Sequence, residues 1–260
     1  MLILVYYLLF VIAPIIFWLM FFAREERSDP EPRKLLFLIF LLGIGIAIFA
    51  SGVELALTMI FFPHNYMDVS VKYMVTHTSA SSVTTVLIFA LAAVTEELLK
   101  YLALKEFLYT NKHFNQIADG VFYGVTLALG FVLVENTGYF LSLYAYATTS
   151  LFVTAIVVRG VLTSLLHITA AGITGYALGK KKFSPTHPKS IVFFGVLSAI
   201  LLHMLFNFFI SLPIGIYIAS PLVIGAFAYL IILLNKPETK AIWRLASAKE
   251  VQEMKNENKI

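Results

Sequence analysis

The sequence predicts an all-α fold, a polytopic transmembrane helix bundle of about seven spans. Three observations predict it. Of the 260 residues, 60% are hydrophobic and only 13% are charged, and mean hydropathy is +0.87. A soluble domain of this size cannot hide so much apolar surface. Seven apolar segments are each long enough for the roughly 20 helical residues a bilayer requires. The basic residues fall almost wholly on one set of loops.

The segments run roughly over 2–23, 35–62, 83–109, 118–145, 150–179, 190–211 and 213–234. All must be helical, because hydrocarbon leaves an open strand edge unsatisfied. The first apolar run lacks a basic leader and a small-residue cleavage pattern, and it exceeds a signal peptide's apolar core, so it reads as a retained span. The third and fourth are interrupted by charge. Of the 19 lysines and arginines, Lys100 and Arg159 fall within spans and Lys72 alone falls on one set of loops. The other 16 lie on the opposite set or in the tail. Lysine and arginine mark cytoplasmic loops. The N-terminus is therefore expected outside and the C-terminus in the cytoplasm. Residues 1–235 form the predicted bundle, and 236–260 form a cytoplasmic tail, either solvated or lying on the membrane surface around Trp243. Small residues spaced four apart, Gly120/Gly124 and Ala171/Gly175/Gly179, predict close helix contacts.

Composition also excludes several functions. There is no cysteine, so disulfides, thiolate metal sites and a cysteine nucleophile are ruled out. The net charge of +4 belongs to cytoplasmic loops, and no nucleic-acid-binding pattern is present.

Charged groups inside a span cost at least a few kcal/mol each, so each needs a reason. The third span carries Glu96, Glu97 and Lys100. The fourth carries Glu135 and Asn136, the fifth Arg159 and His167, and the sixth His203 and Asn207. Asp119 sits at the start of the fourth span, where it suits a helix cap. Glu96/Lys100, Phe131/Glu135 and His203/Asn207 are i,i+4 pairs and each pair shares a helix face. Counted from the cytoplasmic ends, Glu96, Glu135, His167 and His203 lie about 12–17 residues deep, roughly 18–26 Å at 1.5 Å per residue. One layer therefore gathers ionisable groups from four helices. Glu54, close to Ser51 and Thr58 in the second span, reads as a structural or cavity-lining group. His64, His77, His113 and His187 fall in loops and read as surface histidines.

Carboxylates and imidazoles in a dry layer suit acid–base work on water. An asparagine one turn from a histidine can donate to a developing oxyanion. Lys100 and Arg159 would neutralise part of the acid cluster. The combination reads as activated-water hydrolysis of an amide; no serine elbow and no His-Glu-x-x-His motif are present. Glu135, His167 and His203 also make a two-histidine, one-carboxylate set for zinc or another divalent metal, with Glu96 as general base. Both a metal-bound water and one held by carboxylates fit this pattern.

In order, these motifs are Glu-Glu-x-x-Lys at 96–100, Phe-x-x-x-Glu at 131–135 followed by Asn136, Arg159 and His167 in the next span, and His-x-x-x-Asn at 203–207. Together they resemble the PrsW family of intramembrane proteases. The resemblance covers about 90–210, within a catalytic core of about 83–211. More distantly it is similar to the CAAX prenyl endopeptidases, whose second motif ends in histidine where this chain has Glu135. It implies an enzyme that cuts a single-pass membrane protein in a prokaryotic cell membrane, an anti-sigma factor in the bacterial archetype. It also implies that Glu96 and Glu97 are the essential pair, that Glu135, His167 and His203 complete the site, and that Asn207 assists. Lys100, Phe131, Asn136 and Arg159 would support them. The family is classed as metallopeptidase by motif, and the CAAX relatives look like glutamate-dependent hydrolases.

Two other classes compete with this reading. A proton- or ion-coupled transporter uses intramembrane Glu, His and Arg, but no inverted repeat and no matching pair of Gly/Pro-broken helices is found. A catalytically dead scaffold would be free to lose members of the polar set. A protease predicts, in addition, a glutamate-rich cavity open sideways to lipid.

Overall fold

The structure is a computed structural model that describes residues 2–25, 31–62, 83–183, 190–212 and 214–239. The loop 63–82 and the tail beyond Thr239, with His64, His77, His187 and Trp243, lie outside the described residues.

The described residues form seven helical rods and no strand. They are α1 (Leu2–Arg24), α2 (Arg33–Phe61), α3 (Val83–Ala103), α4 (Ile117–Tyr146), α5 (Thr149–Phe183), α6 (Ser190–Ile210) and α7 (Ile216–Leu234). Six of them are long and apolar enough to cross a membrane. The seventh, α3, is of similar length, but Glu96, Glu97 and Lys100 interrupt its apolar character. Large apolar side chains such as Phe37, Phe49, Ile60, Phe193 and Ile232 point outward. In water such a surface would be untenable; in lipid it is the expected exterior. The chain is an integral membrane protein.

The helix at the centre is α4. Its central window is 89% buried, against 11% for α1 and 22% for α2 and α7. It packs most extensively on α5, then on α2. Glycine makes the first contact possible: a Cβ on Gly120 would overlap the Gly175 carbonyl, and one on Gly124 the Ala171 carbonyl. Two similar approaches, at Gly43 and Gly130, hold α2 against α4. A second pair of contacts, α5 on α6 and α6 on α3, closes α3, α4, α5 and α6 around a common interior.

The N-terminal end of α4 is capped. Gln116 and Asp119 form a reciprocal capping box, and Asp119 Oδ2 also accepts from the Asn115 N–H. Asp119 thus has the capping role its position suggested. The Thr239 carbonyl accepts from Ala118 N–H, so the segment after α7 folds back onto this end.

Three π turns depart from α geometry among the described residues; one, over Leu104–Leu108, directly follows α3, and the other two lie within helices. A π turn spans Leu8–Ile12 in α1 and another spans Arg159–Thr163 in α5. They meet: a Cβ on Gly160 would overlap the Phe10 carbonyl. The turn in α5 has a consequence for the site. In a regular helix the eight residues from Arg159 to His167 make about 2.2 turns. The π turn takes up about one extra residue, which brings the step back to about two turns. Arg159 and His167 therefore project to the same side.

Candidate active site

The interior between α3, α4, α5 and α6 holds the polar groups. Relative exposure is 1% for Glu97, 1% for Lys100, 0% for His167, 2% for His203 and 6% for Glu96. This layer is dry, so each charge in it must be met by protein.

Lys100, from α3, lies at the hub. Its ammonium reaches Glu96 Oε2 at 3.2 Å, Glu97 Oε1 at 2.9 Å and His167 Nδ1 at 2.8 Å. It also sits 4.0 Å from the centroid of the Phe131 ring. The i,i+3 and i,i+4 spacing explains the first two contacts; the close approach of α3 to α5 supplies the third. An ammonium only donates, so His167 Nδ1 must accept. The imidazole proton then sits on Nε2, which faces Glu135 Oε2 at 2.7 Å. That contact is close but not aligned as a hydrogen bond, and neither atom has a hydrogen-bond partner among the described residues.

His203, from α6, faces Glu97: its Nδ1 is 2.9 Å from Oε1. The carboxylate accepts, so Nδ1 carries hydrogen and Nε2 is left with a lone pair when the ring is neutral. The rings of His167 and His203 stand perpendicular, with centroids 4.9 Å apart. Phe131 covers His167 with its ring centroid 5.5 Å away.

Glu96, Glu97, His167 and His203 each offer a ligand-type atom, and these four atoms lie within 4.8 Å of one another. Glu135, which the sequence pattern grouped with the two histidines, is outside this quartet. It stands behind His167, on the Nε2 side, and its other oxygen accepts from Arg159 Nη2 at 2.6 Å. Glu97 stands where the sequence pattern had put Glu135, because α3 presents both of its glutamates to the interior.

The remaining residues form an outer rim. Arg159 stacks 3.3 Å from the centroid of the Tyr139 ring. The sequence pattern did not single out Tyr139, although its spacing of four from Glu135 marks a shared face. Asn136 donates weakly to Ser164 Oγ at 3.5 Å, and its Oδ1 has no partner among the described residues. With Arg159 and Gly160 it lines a small cavity where the two π turns meet. Asn207 lies one turn from His203, is half-buried, and makes no hydrogen bond to the quartet.

Chemically, the arrangement pairs two carboxylates with two imidazoles around an ammonium, in a water-poor interior. It can polarise a water, hold a proton on a carboxylate or an imidazole, and bind a cation.

The family model described as PrsW family intramembrane metalloprotease matches residues 31–234, so it spans six of the seven helices and leaves out α1. A curated Protease PrsW of Shouchella clausii (strain KSM-K16) is 32% identical over 160 residues, 62% of this chain and 66% of that protein. A Protease PrsW of Clostridioides difficile (strain 630) is 29% identical over 206 residues, 78% of this chain and 79% of that protein. That of Bacillus subtilis (strain 168) is 27% identical over 173 residues, 66% and 67% of the two chains. No solved structure matches. The chain belongs to the PrsW family of intramembrane metalloproteases.

Proposed function

We propose that this chain hydrolyses a peptide bond of a single-pass membrane protein, within the bilayer, at the Glu96–Glu97–His167–His203 quartet. The observation that carries the reading is four ligand-type atoms within 4.8 Å of one another, buried where α3, α5 and α6 meet in a member of this family.

The quartet fits a divalent metal. Two imidazoles and two carboxylates are donors that zinc accepts, and Glu97 Oε2 is buried with no hydrogen-bond partner among the described residues. A divalent metal bound there supplies Lewis-acid polarisation of the scissile carbonyl and lowers the pKa of a water. The chain's own residues do the rest. His167 and His203 present their unprotonated nitrogens. Glu135 stands behind His167 on its Nε2 side, and Arg159 holds Glu135. One glutamate of the 96–97 pair takes the proton of the attacking water and returns it to the leaving amine. Asn207, a turn from His203, would donate to the developing oxyanion.

A second reading has its own observation. Lys100 donates to Glu96 Oε2, Glu97 Oε1 and His167 Nδ1, the kinds of atom a metal would use. With the ammonium there, the two glutamates hold and activate water without a metal.

By resemblance, the substrate is anti-sigma-factor-like. The N-terminus lies outside and the C-terminal segment in the cytoplasm of a bacterial cell membrane, as the 16 basic residues of one loop set and the tail favour over the single Lys72 opposite.

The test is cleavage of a panel of tagged single-pass proteins in proteoliposomes, with wild type beside Glu96→Gln, with and without a zinc chelator. Cleavage by wild type and not by the variant supports the reading. Loss with chelator and recovery with zinc selects the metal. Equal cleavage by both proteins sinks the mechanism. No cleavage together with ion flux driven by a pH gradient identifies a transporter.

A further inference from the structure

Two screened polar atoms behind the site are unmet among the described residues. Asn136 is 4% exposed, and its Oδ1 has no hydrogen-bond partner there. Arg159 commits Nη2 to Glu135 at 2.6 Å, yet its Nε is also screened and has no partner there. One atom is an acceptor and the other a donor. Buried polar groups are ordinarily met by protein or by an ordered water.

Both residues line one cavity. It lies where the π turn of α1 meets that of α5, is bordered also by Phe10, Val11, Phe140 and Gly160, and measures about 10 Å³. A single water needs roughly 10–15 Å³ and at least two polar partners. A wholly apolar hole of this size stays dry. This one has an acceptor and a donor among its lining residues, and a water serves both at once. The wall that completes it comes from α1. That helix approaches so closely that a Cβ on Gly160 would overlap the Phe10 carbonyl. Tyr7 pins it there: its hydroxyl donates to Thr137 Oγ1 at 3.0 Å, because the Thr137 hydrogen goes to the Leu133 carbonyl. The family match starts at residue 31, so this wall comes from a part of the chain that the match does not cover.

We propose that the junction of α1, α4 and α5 is a binding site for one resident water. The water donates to Asn136 Oδ1, accepts from Arg159 Nε–H, and so holds the guanidinium that in turn holds Glu135. It is a positioning group, acting on His167 through Arg159 and Glu135. Its effect on catalysis rests on the proposed hydrolytic site; its presence does not.

A crystal structure of the full chain in a lipid phase, at a resolution that shows ordered water, tests the site without substrate. Wild type should hold one water within hydrogen-bond distance of Asn136 and Arg159. Asn136→Leu, of similar shape but without the acceptor, should lack it. A wild-type cavity without water, in density that resolves other buried waters, would overturn the proposal whatever becomes of the peptidase reading. Cleavage kinetics test the role. Val11→Ile adds one methylene to the cavity wall and should displace the water, lowering kcat about threefold to tenfold with KM unchanged. In an Arg159→Lys background, where no Nε–H remains, the same change should cost nothing further. Equal losses in both backgrounds, or wild-type kcat in Val11→Ile, would overturn the positioning role.

Discussion

Lys100 Nζ and His167 Nδ1 are 2.8 Å apart, although 67 residues separate them in sequence. This single contact sets the tautomer of His167 and ties α3 to α5. It also places an ammonium on the acceptors that a metal would need. Replacing Lys100 with Met should leave Glu96 and Glu97 without their buried cation, at a cost of about 3–5 kcal/mol of stability. The same change frees the acceptors. Added zinc should raise the melting temperature of Lys100→Met more than that of wild type, in thermal unfolding of detergent-solubilised protein. A melting temperature of the variant that zinc leaves unchanged would argue against a metal at the quartet.

Glu97 is shared between Lys100 and His203, at 2.9 Å each. Glu97→Gln keeps the shape but removes the charge and the proton-accepting capacity. Cleavage should fall by about 10²- to 10⁴-fold, with KM nearly unchanged. Single-turnover assays in proteoliposomes measure this. A loss confined to KM would place Glu97 in substrate binding.

Arg159 holds Glu135 and stacks on Tyr139. Lysine keeps the charge and loses the planar fork that makes both contacts. Arg159→Lys should cost about 10- to 100-fold in kcat, as expected for a group that orients a working residue from behind. The variant should still insert and fold, with wild-type helix content by circular dichroism. Wild-type kcat would remove the Arg159–Glu135–His167 chain from the mechanism.

Close backbone approach between α4 and α5 leaves no room at Gly175, where a Cβ would overlap the Gly120 carbonyl. Nothing lies within 4 Å of a Cβ at Gly52. Gly175→Ala should therefore destabilise by about 1–3 kcal/mol, and Gly52→Ala should not destabilise at all. Thermal unfolding of the two variants side by side measures the difference. Equal stabilities would mean that the two helices separate at no cost.

Much of this was legible in the sequence because lipid makes charge conspicuous. Glu96, Glu97, Lys100, Glu135, Arg159, His167 and His203 stand out in apolar spans, and depth alone placed most of them in one layer. The bundle and its seven rods followed from segment length. What could not be read was rotation about each helix axis. Glu135 and Glu97 both carry a carboxylate at a suitable depth, and which one faces His203 depends on how α3 and α4 turn. The π turn at Arg159–Thr163 is the clearest case. It rephases α5 so that Arg159 and His167 meet the same glutamate, and no residue in Arg-Gly-Val-Leu-Thr announces it.

The most direct measurement maps the bond that is cut. Proteoliposomes holding wild type or Glu97→Gln would be given a tagged single-pass protein, and the new termini identified by mass spectrometry. Cleavage at the quartet's depth gives termini inside the substrate's membrane segment, roughly 18–21 Å from the cytoplasmic end at 1.5 Å per residue, with wild type only. Termini in a water-exposed loop, or the same products from Glu97→Gln, would contradict hydrolysis at the quartet.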